Sequence, residues 1–291
     1  MKPKRNIRVS VSEEEYKFVR ELLHKTKGIG RPAKIEQMDY NLGDWVSDFP
    51  DGDEEVANPL RIEGKTAVLS DVHLGVHDKS AILIALKYIK KERPHNIILN
   101  GDIVDSAALS NHPRTSSAPT YLYEIELAKN FIRSLQTEFP NVKIIYKEGN
   151  HEDRLSRFIQ HRASELDGIV DLPRLLKLKE LGIEFAESTR FIQQGKIFIA
   201  HGHEMKVSGG VNPARALLLR AFDNCIMGHV HRTSFAHGKN LNGKYIRTWT
   251  TGCLCKLQQS YMPHSQSNHG FAIVEEDGAV RNHWIIEGVV E

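Results

Sequence analysis

Cysteine is scarce in this chain: Cys225, Cys253 and Cys255 are the only three in 291 residues. Three thiols cannot build a disulfide framework, and Cys253 and Cys255, one residue apart, are too close for an easy bridge. The scarcity points to a reducing compartment, the cytoplasm. Long apolar runs are missing too. No stretch reaches the about 18 apolar residues of a membrane span, and the basic start, Met1 to Arg8, lacks the apolar core of a leader. A soluble, cytoplasmic protein with no membrane partner is expected. Charge of one sign is also absent. The 39 Lys+Arg and 37 Asp+Glu leave a net +2, which excludes a strong global field for nucleic acid, so a polyanion would have to be held locally. No internal repeat is visible.

What remains is ordinary for a globular protein, 40% hydrophobic and 26% charged. The length suits one catalytic domain with an extension. Histidine stands out at 15 residues, and neutral imidazole is the side chain proteins most often use for transition metals.

Residues 1–64 read as an N-terminal extension and 65–291 as the catalytic domain. Within the extension, alternation over 5–10 predicts a short strand. Ser12 with Glu15 three residues on predicts a helix start, and Tyr16, Phe18, Val19 and Leu22 carry that helix to about Lys25. Residues 26–64 read as an irregular arm. From Lys65 the pattern becomes TAVLS (66–70), a helix over 79–92, NIILN (96–100), a helix near 122–138 and KIIYK (143–147), a βαβαβ order. Strands dominate afterwards, at 183–187, 196–201, 224–229, 244–251, 270–276 and 280–286. This order predicts an α/β fold with two packed mixed sheets.

Each short apolar run ends in a polar cluster: Asp71-Val72-His73, Gly101-Asp102-Ile103-Val104-Asp105, Gly149-Asn150-His151-Glu152, His201-Gly202-His203 and Gly228-His229-Val230-His231. Ligands sit outside the carboxyl ends of strands in open α/β folds, so the five clusters can converge on one place. Carboxylate, amide and imidazole together suit a borderline cation such as manganese, iron or zinc. In an extended segment the Asp-x-His spacing would point Asp71 and His73 the same way, toward one ion. His229 and His231 share that spacing and would each reach a different ion.

These clusters, D-x-H, G-D-x-x-D, G-N-H-E, H and G-H-x-H in order across 71–231, resemble the motif series of the calcineurin-like metallophosphoesterase superfamily. The resemblance covers about residues 65–286. It implies a four-layer αββα sandwich, two mixed sheets between helices, and two divalent ions, manganese first, with iron, zinc or nickel as alternatives. It also implies that Asp71, His73 and His231 hold the first ion, that Asp102 bridges, and that Asn150, His201 and His229 hold the second. His151 resembles the family's catalytic histidine, positioned by Asp105 and kept protonated by it. Glu152 falls at a variable acidic position and is not expected to be a ligand. A metal-activated water is the implied nucleophile, with His151 protonating the leaving group or stabilising the phosphoryl oxygens.

Around the motifs, His112 and Arg114 lie in the polar loop 106–121 that would reach over the site. Arg154, Arg157, His161 and Arg162 recur on one face of a helix after His151, and His203 neighbours a ligand; Arg154 and His203 complete the expected substrate contacts. Cys253 and Cys255 read as buried packing, and His77, His237, His264 and His269 as surface or rim. Ser106-Ala107 stand where serine/threonine phosphatases carry Arg-Gly, which argues against that branch. The basic strip favours a DNA-repair-type or phage-type phosphodiesterase acting on nucleic acid or nucleotides. A phosphomonoesterase, for small molecules or proteins, is the alternative. From another class comes a DNA-binding protein, its residues 5–22 resembling a ribbon-helix-helix arm, with a secondary or inactive phosphoesterase site. Oligomerisation is not readable.

Overall fold

The computed structural model describes residues 58–110, 119–207, 210–258 and 265–291, together with Lys17. Apart from Lys17, the expected strand and helix of residues 5–25 and the arm as far as residue 57 lie outside these, as do His112, Arg114 and His264. In chain order the strands are β1 (Leu60–Ile62), β2 (Thr66–Leu69), β3 (Asn96–Asn100), β4 (Lys143–Lys147), β5 (Glu184–Ala186), β6 (Ile192–Gln194) and β7 (Ile197–Ala200). They continue with β8 (Cys225–Met227), β9 (Ser234–Lys239), β10 (Tyr245–Thr250), β11 (His269–Val274), β12 (Val280–Ile286) and β13 (Val289–Val290). The helices are α1 (Lys79–Glu92), α2 (Tyr121–Glu138), α3 (Asp153–Arg162), α4 (Leu172–Leu176) and α5 (Pro213–Ala221).

The strands form two mixed sheets, one ordered β13-β12-β11-β2-β3-β4-β5 and the other β1-β6-β7-β8-β10-β9. The pleat explains why the central strands are apolar throughout. Ala67, Leu69, Ile97, Leu99, Ile144 and Tyr146 face α1 to α4, while Val68, Ile98 and Ile145 face Ile192, Ile199, Ile226 and Trp249 of the other sheet. A third apolar layer, with Leu217 of α5 against Ala200, Cys225 and Met227, closes the far side of the six-stranded sheet. The expected αββα layering is what the chain adopts.

The helix starts are fixed locally. Asp78 accepts from the Ala81 amide at 2.9 Å to cap α1, and Thr120 caps α2 through the Tyr123 amide. Strand β1 was hidden in the arm read as irregular: three residues, Leu60 to Ile62, pair in parallel with β6. Strands β2, β3 and β4 run parallel, as do β7 and β8, so the loops after their carboxyl ends carry all five motif clusters.

Candidate metal centre

Asp71, His73, Asp102, His229 and His231 all adopt positive φ, between 47° and 67°. L-residues pay for that conformation and keep it only where surroundings over-determine it, commonly at functional sites. The finding corrects the extended geometry expected for Asp-x-His and His-x-His: left-handed backbone, not strand alternation, turns these side chains inward. Asp71, Asp102 and His201 are completely or almost completely buried.

The geometry brings the seven expected ligands into one cluster. On one side His73 Nε2 and His231 Nε2 lie 3.2 Å apart, and Asp71 Oδ1 is 3.2 Å from His231 Nε2. On the other, His201 Nε2 is 3.3 Å from Asp102 Oδ2 and 3.1 Å from Asn150 Oδ1. Asp102 Oδ2 also stands 3.8 Å from His73 Nε2, so it lies between the halves. His229 groups with Asp102 and His201, and its Nδ1 is buried without a hydrogen-bond partner among the described residues.

Tautomers make these approaches informative. His73 Nδ1 donates to Asp105 Oδ1 at 2.9 Å and His201 Nδ1 to the Asn100 carbonyl at 2.8 Å, which turns both Nε2 atoms inward. Lone pairs of imidazole, carboxylate and amide oxygen then face one another, and such a set needs a cation among them. Without metal, protons supply it. Burial opposes a charged His201, yet Asp102 raises its pKa to about 10; Asp71 raises His231 in the same way. Burial likewise opposes charge on Asp102, and the imidazoles of His201 and His151 hold it well below the usual carboxylate range. Desolvation and the neighbouring His201 push His229 down, to the neutral form a metal ligand needs. The residues present therefore fit divalent ions.

His151 sits beside this cluster, its Nε2 3.7 Å from Asp102 Oδ2. Its Nδ1 donates to the backbone carbonyl of Asp105 at 2.7 Å, with the carboxylate at 3.3 Å; the nearest imidazole partner of that carboxylate is His73. Burial lowers the proton affinity of His151 and Asp102 and Asp105 more than compensate, but Arg154 donates to its Nε2 at 3.0 Å. A guanidinium is a donor only. Facing Nε2, it competes with the proton that Asp102 and Asp105 favour on His151, so the protonated form that the resemblance implies requires Arg154 to move aside. Arg154 also bonds the Asp105 carbonyl, whereas Arg157 is paired with Asp153 at 2.7 Å and its charge is partly spent. His203 lies against the rings of His201 and His229 and bonds Ser188 Oγ at 2.7 Å; burial lowers its pKa to about 4, so it is neutral.

Glu152 carries a role the sequence reading missed. Its buried carboxylate accepts from the amides of Asp102, Ile103, Val104 and Gly149 at 2.7 to 3.0 Å and from the Tyr146 hydroxyl at 3.0 Å. It staples the loops after β3 and β4, and leaves no room beside it: a Cβ on Gly149 would lie 2.4 Å from Asp102 Oδ1. Glu204 does the same for the third loop, accepting from the amides of His201 and Gly202 while pairing with buried Lys147 at 3.1 Å. A lysine within the apolar run KIIYK was the available signal. Cys253 and Cys255 are buried as expected, but Cys255 Sγ also approaches His231 Nδ1, at 3.8 Å.

Among the described residues no helix is long and apolar enough to cross a membrane. No curated protein matches the chain. Solved structures similar to it include YfcE, a phosphoesterase from E. coli, with 13% identity over 74% of this chain and 96% of that one and a TM-score of 0.36. Vacuolar Protein Sorting 29 from Cryptosporidium parvum matches with 14% identity over 79% and 96% of the two chains, TM-score 0.43. A dimetal phosphatase from Danio rerio matches with 13% identity over 77% and 93%, TM-score 0.35. The family model described as calcineurin-like phosphoesterase matches residues 64–249. With that model spanning more than half of its 291 residues, the chain belongs to the calcineurin-like phosphoesterase family.

Proposed function

We propose that the chain hydrolyses phosphodiester bonds of nucleic acid or nucleotides, as DNA-repair-type and phage-type members of its family do, with two divalent ions. Asp71, His73 and His231 would hold one, Asn150, His201 and His229 the other, and Asp102 both. The observation that carries the reading is the confrontation of lone pairs: Nε2 atoms whose opposite nitrogens are already committed, facing buried carboxylates at 3.2 to 3.8 Å. The oxygen and imidazole donors suit manganese first, with iron, zinc or nickel next. When bound, the ions supply Lewis-acid polarisation of the phosphoryl group and acidify the attacking water.

The protein's own groups do the rest. Asp105 and the Asn100 carbonyl fix the tautomers of His73 and His201. His151 holds the proton for the leaving oxygen, and an entering phosphate draws Arg154 away from Nε2 and permits that protonation. Charge separates diester from monoester. Among the described residues Arg154 is the cation bonded into the cluster, while His203 and His229 are pushed neutral, so these residues would add little to the metals in neutralising a dianionic monoester. A diester carries one charge less.

The test is a manganese-supplemented panel of an aryl phosphomonoester, an aryl phosphodiester, cyclic nucleotides, and single-stranded and double-stranded DNA. Faster turnover of the diesters is expected. Preference for the monoester would overturn the assignment, and failure with every ester would favour a binding protein with a lost site.

A further inference from the structure

From Asn224 to Val274 the chain carries no aspartate or glutamate, although it holds 37 acidic residues in all. Arg232, Lys239, Lys244, Arg247 and Lys256 fall in that stretch, together with both ligands His229 and His231. Its centre is the β9–β10 hairpin. Strand β9 begins three residues after His231 and is the edge of the six-stranded sheet, so it leads away from the metal centre with no further strand on its outer side among the described residues.

The two faces of the hairpin differ sharply. Ser234, Ala236 and Gly238, opposite Thr250, Thr248 and Ile246, turn toward α5: Ala214 donates to Ser234 Oγ, Thr248 Oγ1 donates to the Ala214 carbonyl, and a Cβ on Gly238 would lie 3.1 Å from Leu218. The other face pairs Phe235 with Trp249, His237 with Arg247, and Lys239 with Tyr245. Every one of these six is aromatic or basic, and all but Trp249 are exposed. The five exposed ones share one side of the hairpin, with Trp249 packed beside Phe235 into the core between the sheets. The Phe235 ring lies 5.7 Å from Trp249 and is stacked on His237 at 5.7 Å, and Lys239 Nζ lies 5.3 Å over the Tyr245 ring. Alternate residues on a strand recur about every 6.6 Å, so rings and cations alternate along the track.

We propose that this hairpin face binds single-stranded nucleic acid, bases stacking on Phe235 and Tyr245 while Lys239 and Arg247 hold phosphates, and that it feeds the strand to the metal centre. Aromatic faces interleaved with cations suit unpaired bases on a phosphate chain, whose π faces are available and whose charge is regular. A duplex hides those faces, and an acidic polymer without bases would use the cations alone. The inference rests on the phosphodiester reading for the chemistry at the metals, and names the substrate class for it.

The experiment measures fluorescence anisotropy of a labelled 12-nucleotide dT oligomer with the full chain in EDTA, so that no hydrolysis occurs. A 12-base-pair duplex and heparin serve as competitors. The oligomer should outcompete both, Phe235→Ala with Tyr245→Ala should weaken binding by about tenfold or more, and Lys239→Ala with Arg247→Ala should flatten the log–log salt slope by about 1.4. Circular dichroism melting checks that the variants are folded. Unchanged oligomer affinity in the folded aromatic variant, or equal competition by heparin, would overturn the proposal. Manganese-dependent hydrolysis of an aryl phosphodiester by the wild-type protein is read separately. Hydrolysis without oligomer binding sinks the hairpin proposal alone; binding without hydrolysis upholds the binding face and sinks both the feeding step and the phosphodiester reading.

Discussion

Glu152→Gln tests whether a buried carboxylate holds the metal-bearing loops in place. Glu152 Oε1 serves Ile103, Val104 and Tyr146, and Oε2 serves Asp102 and Gly149. Whichever way the amide of glutamine is turned, its NH2 meets at least two buried backbone donors. Each orphaned donor costs about 1–3 kcal/mol, so the substitution should destabilise by about 2–6 kcal/mol, a large part of the roughly 5–15 kcal/mol that holds a domain folded. At about 2–4 °C per kcal/mol for a domain of this size, the melting temperature should fall by roughly 5–20 °C. The same loops carry Asp102 and Asn150, so manganese affinity should drop by about 10-fold to 100-fold, as for other residues that support metal ligands. Differential scanning calorimetry with and without manganese, and titration calorimetry with the metal, read both quantities. A variant melting within about 2 °C of wild type and binding manganese equally well would refute the staple.

Proton linkage gives a second prediction. His201 is raised from 6.5 to about 10 in the metal-free protein. A raised histidine stabilises the fold fully below its unfolded value and loses that contribution as pH climbs through the folded one. The metal-free protein should therefore lose stability between pH 6.5 and about 10, while the manganese-loaded protein stays flatter; melting curves across that range check it, and parallel curves would contradict it. Manganese affinity should rise over the same window because the ion displaces protons from His201 and His231, read as buffer-dependent heats in titration calorimetry. His151→Ala should lower turnover by about 10²-fold to 10⁴-fold with metal content unchanged; loss of metal would deny it a role in proton transfer.

Much of the fold was legible because its central strands are buried on both faces. TAVL and NIILN read as unbroken apolar runs, which is how a strand between helices and a second sheet must read. Strand β9 escaped for the opposite reason: its inner face is Ser234, Ala236 and Gly238 and its outer face is exposed, so SFAHGK shows no apolar alternation. Strand β1 is three residues long, and α5, capped by Asn212 and opening on Pro213, lies in a segment without a clear apolar period. At the candidate metal centre, the residues that cluster were visible as motifs at strand ends. Their left-handed backbone was not, because positive φ at Asp71, His73 and Asp102 is imposed by partners distant in sequence. Glu152 read only as a variable acidic position for the same reason: three of its four amide partners come from the loop after β3, which only the sheet brings to it.

Metal stoichiometry tests the central claim most directly. Wild-type protein and Asp102→Asn, equilibrated with manganese and freed of excess by gel filtration, should be assayed by inductively coupled plasma mass spectrometry. The account predicts about two ions per wild-type chain and fewer than one in the variant, since in the proposed arrangement Asp102 would serve both positions. Absence of manganese from the wild type, or equal content in the two proteins, would contradict it.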